Sequence, residues 1–170
     1  MVADDKTQQE VIDLCCQVGI EGIEWVQHRP GPDRRGPLDP SDLVGSAGKI
    51  GEMTRAAGLE VVDFTGAAEA DDLGSVRQHF EIAAAMGAPA MRMRSRSFWR
   101  KLDKTLEEQQ AHVRQALESM ASLCDGYQVG VQYETVWNAV TSCASMARRL
   151  LEGVDASRFG ILIDPANMMV

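Results

Sequence analysis

The sequence predicts an α/β fold: a partial (β/α) barrel of about five parallel strands with outer helices, occupying residues 1–170 as one domain. Three observations carry this reading. An amphipathic helix, a glycine and a short strand recur with a period of roughly 30–40 residues, the range of a repeating supersecondary unit. Each strand alternates apolar side chains with polar or charged ones near its C-terminal end, whereas strands of an open doubly wound sheet read as apolar runs. No Gly-x-Gly-x-x-Gly follows a strand, which weakens a nucleotide-binding alternative.

Taken in order, Thr7-x-x-Glu10 is a capping box, and Val11, Leu14, Cys15 and Val18 follow at helical spacing. Gly19 stops that helix, and 20–26 reads as a strand. A helix over 41–57 stops at Gly58 before a strand at 59–64. The next, over 72–86, stops at Gly87 before a strand at 88–93. A second capping box, Thr105-x-x-Glu108, opens a long helix carrying Val113, Leu117, Met120 and Cys124. It yields to a strand at 129–134, and a helix over 141–152 precedes the last strand at 159–164. Glycine suits these stops because a helix C-terminus commonly needs a left-handed residue. Strands alternating with helices imply parallel pairing through right-handed crossovers.

Glu24, Asp63 and Arg92 each stand five residues after a helix-ending glycine, flanked by Ile23, Trp25, Val62, Phe64, Met91 and Met93. Gln132 and Glu134 alternate with Val131 and Tyr133, and Asp164 follows Ile163. Successive side chains point to opposite faces of a strand. The apolar face is therefore expected to meet the helices, and the charged face to open into the barrel mouth, where such folds keep their active sites. The alternative puts these charges in solvent past the strand ends.

Composition narrows the function classes. With 45% apolar and 25% charged residues the chain is an ordinary globular one. A net charge of −8 argues against a general nucleic-acid or membrane-surface binder. No stretch approaches the roughly 20 apolar residues that span a bilayer, and the N-terminus does not read as a signal peptide, so a cytoplasmic location is expected. Cys15, Cys16, Cys124 and Cys143 lack Cys-x-x-Cys spacing and read as reduced, helix-borne thiols.

Three segments carry a family resemblance. Gly19-Ile-Glu-Gly-Ile-Glu-Trp25, Gly130-Val-Gln-Tyr-Glu134 and Gly160-Ile-Leu-Ile-Asp-Pro-Ala-Asn167 resemble the second, fifth and sixth strands of the xylose isomerase-like TIM barrels, which include sugar phosphate isomerases and epimerases. Under this resemblance the chain holds strands two to six; the first would precede Thr7, and the seventh and eighth would follow Val170. The resemblance implies that Glu134 and Asp164 ligate a divalent metal (Mn, Mg, Co or Zn). The substrate would be a hydroxy-carbonyl sugar or sugar phosphate, rearranged by metal-assisted proton or hydride transfer. Two features depart from the family: Asn167 stands where a histidine is frequent, and Glu134 is followed by Thr-Val-Trp-Asn rather than by histidine and glycines.

The candidate roles follow. Glu134, Glu24 and His28 are candidates for proton transfer. Arg92 and Arg94 suit an anionic group, since guanidinium forks match phosphate and carboxylate oxygens. Trp137, just beyond Glu134, reads as a packing residue or a substrate contact, and Asn167 is a further candidate substrate contact. Without a metal, the two carboxylates would be mouth residues paired with Arg92 or Arg94. The segment Gln27–Pro37, rich in proline, glycine and arginine, is long enough for a binding loop or a solvated one. His79 and His112 fall within helices and read as surface or packing residues. The alternative function is a non-catalytic barrel relative that binds a ligand or assembles. Either way, open sheet edges favour pairing with another copy, most simply as a homodimer.

Overall fold

In the computed structural model, which describes residues 5–27, 37–38, 42–66, 68, 72–93, 104–136 and 139–168, five parallel strands form one open sheet. They are β1 (Gly22–Val26), β2 (Glu60–Thr65), β3 (Ala90–Met93), β4 (Gly130–Glu134) and β5 (Phe159–Leu162), hydrogen-bonded in chain order. Strand order decides between the two architectures open to a βα repeat. A doubly wound sheet reverses direction at a switch point. Here every strand adds to the same side of the last, so right-handed crossovers leave all connecting helices on one face. That is the barrel arrangement, left open between β1 and β5.

The helices are α1 (Gln8–Gln17), α2 (Leu43–Ala56), α3 (Leu73–Met86), α4 (Leu106–Tyr127), α5 (Ala144–Leu151) and the single turn α6 (Pro165–Met168). Both predicted capping boxes form. The Thr7 and Thr105 hydroxyls accept from the Glu10 and Glu108 amides, and each glutamate accepts from the threonine amide at 2.7 Å. Gly19, Gly58 and Gly87 follow their helices with positive φ; α4 instead ends on Gln128 in the left-handed region. The turn α6 is absent from the sequence reading. It starts because Asp164 Oδ1 accepts from the Ala166 and Asn167 amides, which also ends the last strand two residues earlier than expected.

The core lies between the sheet and the helices. Ile23, Trp25, Val61, Phe64, Met91, Met93, Val131, Tyr133 and Phe159 point into it from the strands, against Ile12, Ile50, Phe80, Met86, Val113, Leu117 and Leu150. The indole of Trp25, 1% exposed, donates to Thr54 Oγ1 at 3.2 Å, and that hydroxyl donates to the Ile50 carbonyl. Helices α2 and α3 meet closely at Gly51: a Cβ there would fall 2.1 Å from the Met86 carbonyl oxygen. Arg55, one turn on, donates to the same carbonyl at 2.7 Å. Arg114 and Gln110 of α4 tie down α5 by donating to the carbonyls of Arg149, Leu150, Val140 and Met146.

One expectation of strict alternation fails in β2. Ile23 opposes Val61 but Glu24 opposes Asp63, so Val62 is an extra residue, a β-bulge. Val61 and Phe64 therefore both face the helices, while Val62, expected on the apolar face, is 45% exposed and lies against Gly22. The shift puts Asp63 beside Glu24 and Thr65 beside Val26 on the opposite face. Ile20, expected at the start of the first strand, lies outside it and is exposed.

Candidate active site

The site grows from the C-terminal ends of β1 to β4 and the turn after β5. Parallel register aligns them: Thr65 is level with Arg92, Arg92 with Gln132, and Glu134 with Leu162. Alternation from the buried Met91, Met93, Val131 and Tyr133 sends Arg92 and Glu134 to the other face. There Arg92 is the hub. Its Nε lies 2.7 Å from Thr65 Oγ1 and 3.1 Å from Glu24 Oε1, and its Nη1 lies 2.8 Å from Glu134 Oε2. The Thr65 hydroxyl donates in turn to Glu24. One guanidinium thus holds two carboxylates from strands on either side of its own.

A second group adjoins it. Asn167 Nδ2 donates to Glu134 Oε1 at 3.2 Å and to Asp164 Oδ2 at 2.7 Å, linking the carboxylates of β4 and the β5 turn. Threonines fix the backbone beneath. Thr135 Oγ1 accepts from the Asp164 amide at 2.8 Å, and Thr141 Oγ1 donates to the Glu134 carbonyl at 2.7 Å.

The electrostatics follow from burial. Asp63 is 4% exposed, and its Oδ1 accepts from the Phe64 amide while Oδ2 has no hydrogen-bond partner among the described residues. Burial first, then the neighbouring Glu24 charge, pushes its carboxyl up to about 7. Burial also raises Glu134; Arg92 opposes that rise, while Asp164 and Glu24 add to it. The mouth therefore carries four carboxyls around one described guanidinium, with one of them holding its proton near neutrality.

Of the residues singled out from sequence, Glu24, Arg92, Glu134, Asp164 and Asn167 come together. His28, Arg94 and Trp137 lie outside the described residues. His79 is a packing residue: its ring sits 5.7 Å from that of Phe64, its Nδ1 lies 2.6 Å from the Ser75 carbonyl, and burial lowers its pKa. Sequence reasoning missed Thr65, Thr135 and Thr141 as site members. For Thr65 the signal was present, a β-branched residue two positions after Asp63. A cavity of about 180 Å³, lined by Thr135, Ala147, Leu151, Ile161, Ile163 and Met168, lies between β5 and α5 and reaches the site at Thr135.

With strand order, register and the position of the acidic cluster established, the comparison with known proteins is decisive for family. Residues 12–170 match the model of the xylose isomerase-like TIM barrels. The chain belongs to that family. Solved structures of similar fold include the 3-keto-D-glucoside 4-epimerase YcjR of E. coli, at 15% identity and a TM-score of 0.75, covering all of this chain and 68% of that one. A D-psicose 3-epimerase solved in the presence of D-fructose gives 11% identity, a TM-score of 0.73, and coverage of 97% of this chain and 60% of the other. The IOLI protein, solved with a bound zinc atom, gives 10% identity, a TM-score of 0.71 and the same coverages. No curated protein sequence matches the chain. This chain thus spans between 60% and 68% of the length of these relatives.

The family includes metal-binding members, so the donor set matters. Glu134 and Asp164 are hard oxygen donors, but a hard divalent ion takes about six ligands. Among the described residues no group of three or more His, Cys, Asp or Glu is placed to hold an ion. Both oxygens of Glu134 already accept from Arg92 and Asn167, and both of Asp164 accept from Asn167 or main-chain amides. As they stand, these residues do not fit a metal.

Proposed function

We propose that the chain is the larger part of a sugar isomerase or epimerase acting on a hydroxy-carbonyl sugar or sugar phosphate by proton transfer at the strand ends. The observation that supports this reading most directly is the Glu24–Arg92–Glu134 hub on the mouth face of three strands in a family fold of sugar-converting enzymes. A carboxylate there removes the proton from the carbon beside the carbonyl and returns it to the same or the adjacent carbon. Burial raises Glu134, which brings its proton affinity closer to the operating pH and suits it to both halves of that exchange. Glu24 and His28 are the other candidate proton carriers. Arg92 keeps the two carboxylates apart in fixed positions and Asn167 lines the same end; Arg94, for an anionic group, and Trp137 are the other candidates for holding the substrate. A metal, if the working protein uses one, draws ligands from beyond the described residues.

Carbon-bound deuterium uptake from heavy water tests this without knowing the product. Ketose and aldose pairs, free and phosphorylated, are incubated with the protein and with Glu134→Gln, with and without added Mn²⁺, and followed by NMR. Exchange that falls at least tenfold in Glu134→Gln is the expected result. No exchange in any pair at any protein concentration removes the reading.

A second reading has its own support. The edges of β1 and β5 are open, and unpaired edges invite another strand. A non-catalytic module would bind a ligand at the same face and assemble, most simply as a homodimer. Light scattering across concentration separates the cases: a monomer at high concentration contradicts the dimer.

A further inference from the structure

The carboxylates that would face a cation at this site are already compensated from within the chain. Glu134 Oε2 carries the Arg92 guanidinium at 2.8 Å, and Glu134 Oε1 carries the Asn167 amide. The same amide nitrogen turns its other hydrogen to Asp164 Oδ2 at 2.7 Å, while Asp164 Oδ1 takes the Ala166 and Asn167 main-chain amides. The Asn167 amide nitrogen therefore bridges the Glu134 and Asp164 carboxylates, and its hydrogens repel a cation where its ligands would have to converge. The full positive charge of Arg92 adds to that repulsion, and the guanidinium is fixed on its far side by Glu24 and Thr65. With side-chain exposures of 16% for Arg92 and 19% for Glu134, the pair is screened from solvent more than a surface pair is.

We propose that Arg92 is an internal counter-cation for Glu134: it and Asn167 occupy the charge and hydrogen-bonding positions that a divalent ion would need, so ion capture at Glu134 and Asp164 requires Arg92 to let go. Arg92 is thus a positioning residue, and its guanidinium and a divalent ion exclude one another at Glu134. This inference stands on the geometry of the strand ends, whether or not the protein converts sugars.

The test is Mn²⁺ binding, read from the loss of the free-ion electron paramagnetic resonance signal. It is run on the wild-type chain, Arg92→Gln, Asn167→Ala and the double variant Arg92→Gln/Glu134→Gln, each checked for folding by circular dichroism. The expected result is at least tenfold tighter Mn²⁺ binding in Arg92→Gln than in wild type, with the gain abolished in the double variant. Asn167→Ala, which leaves the Arg92 pairs intact, gives a smaller gain of at least threefold. A folded Arg92→Gln that binds Mn²⁺ no more tightly than wild type overturns the proposal, as does a gain that survives Glu134→Gln. If Arg92→Gln does not fold, Asn167→Ala decides: unchanged or weaker binding overturns it.

Discussion

Replacing Asp63 by asparagine tests how the mouth stores charge. Asp63 is buried beside Glu24, and its carboxyl is raised from 3.8 to about 7. Its sign is that of a raised acid: the folded state keeps a proton that the unfolded chain gives up near pH 4. Stability is then unaffected below that pH, falls as pH rises from about 4 to about 7, and carries the whole penalty above 7. A pKa difference of about 3, at about 1.4 kcal/mol per tenfold, gives an upper bound of about 4 kcal/mol. Asparagine keeps the oxygen that accepts from the Phe64 amide and never ionises. The variant should match wild type within about 1 kcal/mol near pH 4.5 and exceed it by about 1–4 kcal/mol at pH 8. Urea unfolding at pH 4.5, 6 and 8, followed by the fluorescence of the buried Trp25, gives the difference directly. A difference that is flat with pH, or that shrinks as pH rises, would refute the assignment of a protonated buried carboxyl.

Other expectations concern packing and local structure. Gly51→Ala drives a methyl group into the Met86 main chain at the α2–α3 crossing and should cost about 1–3 kcal/mol, seen as a lowered urea midpoint with an unchanged slope. Thr105→Ala removes the hydroxyl that caps α4 and should cost about 1 kcal/mol in the same assay, whereas Thr105→Ser should cost much less. Trp25→Phe leaves the Thr54 hydroxyl, buried between α2 and β1, with only its bond to Ile50; a loss of about 1–3 kcal/mol is expected, and a neutral result would count against that bond.

Most of the architecture was legible in the sequence because its signals are local. The two capping boxes, the glycines at 19, 58 and 87 and the alternation in 130–134 are each read from a few neighbouring residues, and the structure forms all of them. The candidate site was legible in part: Glu24, Arg92, Glu134 and Asp164 could be placed at or near strand ends by counting, and Asn167 was singled out through the family resemblance. Their partners could not be read, because a bond such as Arg92 to Glu134 joins residues 42 apart and depends on parallel register. The bonds of the Thr65 and Thr135 hydroxyls, to Glu24 and to the Asp164 main chain, could not be read for the same reason. The misplacement of Val62 has a different cause, since alternation assumes one residue opposite one, and β2 sets two against one.

That bulge works like a frameshift in the direction of side chains. Upstream of Val62 the odd-numbered Val61 belongs to the core; downstream the odd-numbered Asp63 and Thr65 belong to the mouth, and the even-numbered Phe64 takes over the core. Were Val62 to pair with Glu24 as an ordinary strand residue, every later residue of β2 would turn over, carrying the Asp63 carboxyl under the helices and the Phe64 ring to the face where Arg92 meets Thr65. One apolar, half-exposed residue with no chemistry of its own thus decides which side of the sheet reads the rest of the strand.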